Sequence, residues 1–147
     1  MGALPISDYG SGCESNDSGR EMHMREQRLE TLRRIAAGFN AHDPDAILLH
    51  FTDDAVFDAP RGREPGGMRY AGKEAVRSAF VARFEGIPDV HYGDDRHFVD
   101  GERGVSEWLL TGTTSDGHRV ELRGCDLWEF RGGAISRKDS YWKIVEG

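Results

Sequence analysis

Residues 123–143, RGCDLWEFRGGAISRKDSYWK, hold two runs rich in aromatic and β-branched residues on either side of Arg131-Gly132-Gly133. Apolar and polar side chains alternate through both runs, and the Gly pair supplies turn chemistry, so the stretch predicts a β-hairpin. Working back toward the N-terminus, Ser115-Asp116-Gly117 separates a strand over His118–Phe130 from one over Gly104–Thr114. Asp100-Gly101 separates that strand from another over Val90–Val99, and the last strand runs over Ala134–Val145. The second half therefore reads as an antiparallel meander.

The first half has the other period. From Arg25 to Asn40, apolar residues at Leu29, Leu32, Ile35, Ala36 and Phe39 make one helix face. Asp43-Pro44, a capping residue followed by a preset first turn, starts a second helix that ends near Phe51. A short strand is expected over Ala55–Ala59, then a loop over Pro60–Gly72 carrying Arg61, Arg63 and Arg69. A third helix follows over Lys73–Phe84, stopped by Gly86 and Pro88. Residues 1–24, with no apolar periodicity, read as an unstructured tail ahead of a domain over 25–147. Helices first and one curved antiparallel sheet after them is an α+β layout.

The chain has 147 residues, the size of one domain. It is 37% hydrophobic and 31% charged, and no apolar run approaches the roughly 18 residues of a membrane span, so a membrane partner is not expected. A net charge of −7 is the wrong sign for a nucleic-acid partner. Cys13 and Cys125 stand too far apart for a disulfide framework or a metal spacing, and the first residues lack a signal-peptide pattern, which together suggest the cytoplasm. No His or Cys pair stands at metal-ligand spacing, no phosphate-cradle motif follows a strand, and no nucleophile motif is present, so no metal or cofactor is expected.

The motif DPDAILLHFTDDAVFDAP, the helix start GKEAVRSAF, the IPD after that helix, and the closing hairpin resemble the nuclear transport factor 2-like superfamily over residues 25–147. Within it, the pattern is similar to the branch of ketosteroid isomerases and SnoaL-like polyketide cyclases. The resemblance implies a cone: a bent sheet wrapped around the N-terminal helices, enclosing an apolar pocket, with homodimers formed through the outer sheet face. Cys125, Leu127 and Tyr141 would lie on that outer face.

Residues two apart on a strand share a face, so Leu122, Gly124, Asp126 and Trp128 form one set and Lys138, Ser140 and Trp142 another. The resemblance turns both sets inward, with Asp126 at the position of the aspartic acid that donates to a substrate oxyanion. Burial among apolar groups would hold such an acid neutral. The competing expectation is a carboxylate that satisfies a backbone amide or pairs with Arg123, Lys138 or another cation. A three-residue loop at Ser115–Gly117 would place Ser106, Trp108 and Leu110 inside, whereas a four-residue loop would bring in Glu107; Trp108 is favoured.

The isomerase base would fall on Ala59, with Asp58 beside it, and its tyrosine on Ile35. A standard ketosteroid isomerase is therefore not expected, although a one-residue slip would turn Asp58 inward as a base. His91 and His97, at even spacing, would share a face, and His97 is a further candidate base. His42 and His50 are expected to face solvent, and His118 to sit by a turn. Phe39, Phe57, Trp108, Leu110, Leu122, Trp128, Lys138, Ser140 and Trp142 make the expected ligand-binding set. The implied partner is a small apolar or carbonyl-bearing organic molecule. The implied activity is cofactor-free acid–base chemistry of cyclase, isomerase or dehydratase type; the alternative is a non-catalytic ligand-binding or protein-interaction domain of the same fold.

Overall fold

The turn at Arg131-Gly132-Gly133 forms as read, with Gly132 at φ 63°, a left-handed angle that suits glycine. It joins β5 (Arg119–Arg131) to β6 (Ala134–Trp142) in the computed structural model, which describes residues 11–147. Ahead of them lie β3 (His91–Asp100) and β4 (Arg103–Thr113), completing the antiparallel meander β3-β4-β5-β6. The first half supplies α1 (Ser11–Asn40), α2 (Pro44–Leu48), β1 (Phe51–Asp58), β2 (Arg69–Ala71) and α3 (Lys73–Gly86). Asp43 caps α2 as expected, its carboxylate accepting from the Ala46 N–H at 3.1 Å.

Three features depart from the sequence reading. The first helix starts at Ser11 rather than Arg25, so the expected tail is helical over 11–24; residues 1–10 lie outside the described residues. Side chains 17–24 are all exposed, so this part of the extension offers no apolar face to the core and left no periodic signal. Second, β1 runs parallel to β6, with Phe57 opposite Lys138 and Asp58 opposite Asp139, and β2 pairs with β1 inside the expected loop. The curved, open sheet is therefore mixed, in the order β2-β1-β6-β5-β4-β3. Third, the β3–β4 pairing shifts register between Gly93 and Arg96, where Asp94 takes φ 47°. That bulge reverses the parity of β3.

The helices cover the inner face of the sheet. Leu32, Ile35 and Phe39 of α1 and Val76 and Phe80 of α3 pack on Phe57, Trp128, Phe130 and Ile135. Burying each such side chain contributes roughly 1.5–3 kcal/mol. Two polar ties set where α1 lies. The Arg28 guanidinium donates to the Gly101 carbonyl at 2.7 Å and to the Gly132 carbonyl at 3.1 Å, holding both hairpin turns. At the other end, Asn40 donates to the Tyr92 carbonyl and accepts from the Tyr92 N–H at 2.8 Å, so it satisfies the start of edge strand β3.

A second, smaller cluster of Ile87, Val90, Trp108 and Leu110 forms beyond Trp108, with Leu122 and Trp142 packed against it. Among the described residues, no helix is long and apolar enough to cross a membrane.

Candidate functional site

Ser106 pairs with Asp126, and Trp108 with Gly124, so the hairpin at Ser115–Gly117 puts Ser106, Trp108 and Leu110 inside and leaves Glu107 exposed. Trp108 fits because residue 124 is glycine: a Cβ there would come within 2.3 Å of the indole ring. Ser140 pairs with Asp126, and Lys138 with Trp128. Asp126, Lys138 and Ser140 thus meet on the buried face.

Their hydrogen bonds define what Asp126 is. One carboxylate oxygen accepts from Trp108 Nε1 at 2.9 Å; the other accepts from Lys138 Nζ at 2.9 Å and Ser140 Oγ at 2.5 Å. Lys138 Nζ also donates to Ser140 Oγ at 2.7 Å. With every neighbour donating and one of them an ammonium, Asp126 is placed as an acceptor, the alternative expectation of a Lys138 pair. The Lys138 ammonium lies 4.5 Å from the Phe57 ring centroid and 5.3 Å from that of Phe39, so aromatic faces complete its surroundings. Burial pushes its pKa down, and the Asp126 charge and hydrogen bond work against that.

A second polar chain crosses the same wall. Trp128 Nε1 donates to Ser106 Oγ at 2.9 Å, Ser106 Oγ lies 2.7 Å from His97 Nδ1, and His97 Nε2 lies 2.7 Å from Asp95 Oδ2. The carboxylate can only accept, which places the proton of a neutral imidazole on Nε2 and directs the Ser106 hydroxyl proton to Nδ1. The His97 side chain is 8% exposed, and that of Asp95 44%, so the chain leads from the interior to solvent.

Both chains border one cavity between α1 and the sheet, walled on its apolar side by Leu32, Ile35, Phe39 and Tyr92. Its volume is about 30 Å³, space for a water molecule or two. Ligand pockets run to roughly 300–1,000 Å³, so an organic guest requires the side chains to part. Tyr92 stands edge-on to Trp108 at 5.1 Å, and burial raises the pKa of its hydroxyl, which keeps it protonated.

Of the expected site residues, Asp126, His97, Trp108, Trp128, Lys138, Ser140, Phe39 and Phe57 come together around this wall. Leu110, Leu122 and Trp142 belong instead to the cluster beyond Trp108. His91 is exposed and does not share His97's face, because the Asp94 bulge lies between them. His42 is not solvent-facing: it stacks on Phe84 at 4.9 Å and bonds the Val90 carbonyl at 2.7 Å. His50 is half-buried, and His118 is exposed beside Asp116. Tyr92 and Asp95 complete the wall without having been singled out from sequence, and Ser106, expected inside, had been given no role there. Asp95-x-His97 was the one legible signal, visible only once the bulge is known.

Asp58 is absent from the wall. It lies on the opposite face of β1, 3% exposed, where Arg69 donates at 2.8 and 3.0 Å and Arg137 at 2.9 Å. The Arg69 hydrogen bond holds its pKa below the usual carboxylate range; burial opposes this and Arg137 reinforces it. A depressed carboxylate stabilises the fold above its unfolded pKa, and that contribution is lost as pH falls through the folded value. Asp58→Asn is therefore expected to lower the melting temperature at pH 7, by an amount that shrinks as pH is taken below the usual carboxylate range and through the folded value. A loss that stays constant over that whole range would show that the charge of Asp58 is not what stabilises β1 and β6.

Residues 32–138 match the family of SnoaL-like domains. Among solved structures, a nuclear transport factor 2-like protein of unknown function from Mesorhizobium loti is 28% identical, with a TM-score of 0.69 over 82% of this chain and 93% of its own. A candidate polyketide cyclase from Xanthomonas campestris pv. campestris shares the fold at 22% identity and a TM-score of 0.71, covering 81% of this chain and 92% of its own. An uncharacterized cystatin-fold protein from Novosphingobium aromaticivorans is 26% identical, with a TM-score of 0.62 over 80% and 97% of the two chains. No curated protein matches this chain.

Proposed function

The chain belongs to the SnoaL-like domain family, and from that premise we propose that its cone takes up a small carbonyl-bearing organic molecule and works on it by cofactor-free acid–base chemistry. The reaction would be of the cyclase, isomerase or dehydratase type. The observation that carries this reading is the Asp95–His97–Ser106 chain, which runs from solvent to a buried hydroxyl on the wall of an otherwise apolar cavity. A packed core has no need of such a chain, because each buried polar group costs desolvation.

In this proposal Ser106 Oγ takes a proton from a carbon next to the substrate carbonyl while passing its own to His97 Nδ1. Asp95 steadies the imidazolium that results, and once the enolate has rearranged the same relay delivers the proton from His97 through Ser106 to the product. Lys138 supplies positive charge to the wall as the substrate oxygen gains negative charge, and Asp126 holds Lys138 in place. The guest enters where α1 meets the bulged edge strand β3, beside Asp95. Native mass spectrometry of the purified protein, followed by turnover assays on cyclic ketones and polyketide-like esters, tests the reading. A copurified organic molecule or turnover supports it; neither, over the whole panel, counts against it.

The same family setting supports a homodimer through the outer sheet face. Tyr141 and Phe98 stand 54% and 55% exposed there, with Cys125 and Leu127 half-buried between them. Apolar side chains on an uncovered sheet face seek a partner surface. Light scattering at tens of micromolar, a concentration suited to ordinary interface affinities, is expected to give twice the chain mass; the mass of one chain would contradict the dimer. A cytoplasmic setting belongs to the same proposal.

A further inference from the structure

A recess of about 500 Å³ lies at the end of the sheet next to Trp142, outside the cavity already described. Arg61, Arg119 and Lys143 line it, with Val120 and Leu122 as apolar floor. The Arg61 and Arg83 guanidinium carbons sit 5.4 and 5.1 Å from the Trp142 ring centroid. Among the described residues, none of these four cations forms an ion pair, whereas Arg69, Arg77 and Arg131 are each paired elsewhere on the fold. In a chain of net charge −7, four cations without carboxylate partners, two of them against one aromatic ring, stand out. Glu121 is the one acidic residue of the recess wall.

From this juxtaposition we propose that the recess binds a planar organic monocarboxylate. The guanidinium groups offer paired N–H donors that match a carboxylate, and the apolar floor of Val120 and Leu122 takes a flat ring beside Trp142. Three cations against the one carboxylate of Glu121 leave the recess net positive, which favours an anion, and the apolar floor rather than the charge distinguishes an aromatic carboxylate from phosphate. The site is independent of proton transfer in the cavity, since neither His97 nor Asp126 lines it.

The test uses 2-naphthoate as probe, with neutral 2-naphthylmethanol and inorganic phosphate beside it, in calorimetric titrations of the full chain. The naphthoate is expected to bind in the sub-millimolar range, at least about tenfold tighter than either control. Arg61→Gln and Arg119→Gln are each expected to weaken it about two- to fivefold and the double variant about tenfold, as exposed charge contacts do. His97→Gln leaves this binding unchanged. In ¹⁵N–¹H spectra the Trp142 indole signal, assigned by its loss in Trp142→Phe, should move, and those of Trp108 and Trp128 should not. Equal binding of the neutral alcohol, equal binding of phosphate, parental affinity in the double arginine variant, or no binding at millimolar naphthoate would each overturn the proposal.

Discussion

Lys138→Met is expected to lower the unfolding free energy by about 3–5 kcal/mol, because it strands a buried carboxylate without its counter-charge. Methionine fills nearly the same volume among Phe39, Phe57 and Trp128, so the loss is one of charge rather than packing. Asp126 would keep only Trp108 and Ser140 as donors. In a domain whose whole stability is about 5–15 kcal/mol, a loss of this size is close to unfolding. The double variant Asp126→Leu/Lys138→Met should recover part of it, since apolar residues often replace a buried pair at little cost while Trp108 Nε1 and Ser140 Oγ lose their acceptor. Urea unfolding of the two singles and the double measures the coupling. A single-variant loss under about 1 kcal/mol would mean that the pair is not charged and buried.

His97→Gln is expected to act on rate instead. Removing a positioned acid–base group typically costs 10²–10⁴-fold in turnover. Glutamine keeps a side-chain hydrogen bond within reach of Ser106, so unfolding free energy should change by no more than about 1–2 kcal/mol. Asp95→Asn should slow the same reaction, because an amide can offer His97 a proton where the carboxylate only accepts one. Ser106→Ala should do so as well, since the relay then lacks its hydroxyl. Assays on whichever ketone or ester the panel identifies would check all three. Turnover within about threefold of the parent in His97→Gln would remove the relay from the mechanism.

The parts of this site that were readable in the sequence are those with a local cause. Alternation by two placed Asp126, Trp128, Lys138 and Ser140 on one face of β5 and β6, and the Ser115–Gly117 turn left a choice that the Ser106–Asp126 pairing resolves. Long-range pairing has no such local sign. The parallel β1–β6 contact, which carries Asp58 to the outer face and Phe57 to Lys138, joins segments that nothing in their own residues connects. The parity of β3 turns on Asp94 at φ 47°, an angle that aspartate tolerates without announcing it, and with it go the positions of His97, Tyr92 and Asp95. The role of Asp126 depended on which neighbour reached it. Lys138 was among the alternatives, and only register distinguishes it from Arg123, which turns outward to Asp94.

The wall shared by the two polar chains is proposed to receive a ligand, although its cavity holds only about 30 Å³. Trp108 and Trp128 donate their indole N–H groups into those chains, so both protons report any guest that parts them. Titration of ¹⁵N-labelled protein with cyclic ketones and polyketide-like esters, followed through the three indole signals, would detect that ligand. Saturable shifts of Trp108 and Trp128 are expected with at least one compound; indole signals that stay fixed across the panel, or movement of Trp142 alone, would rule out a ligand at this wall.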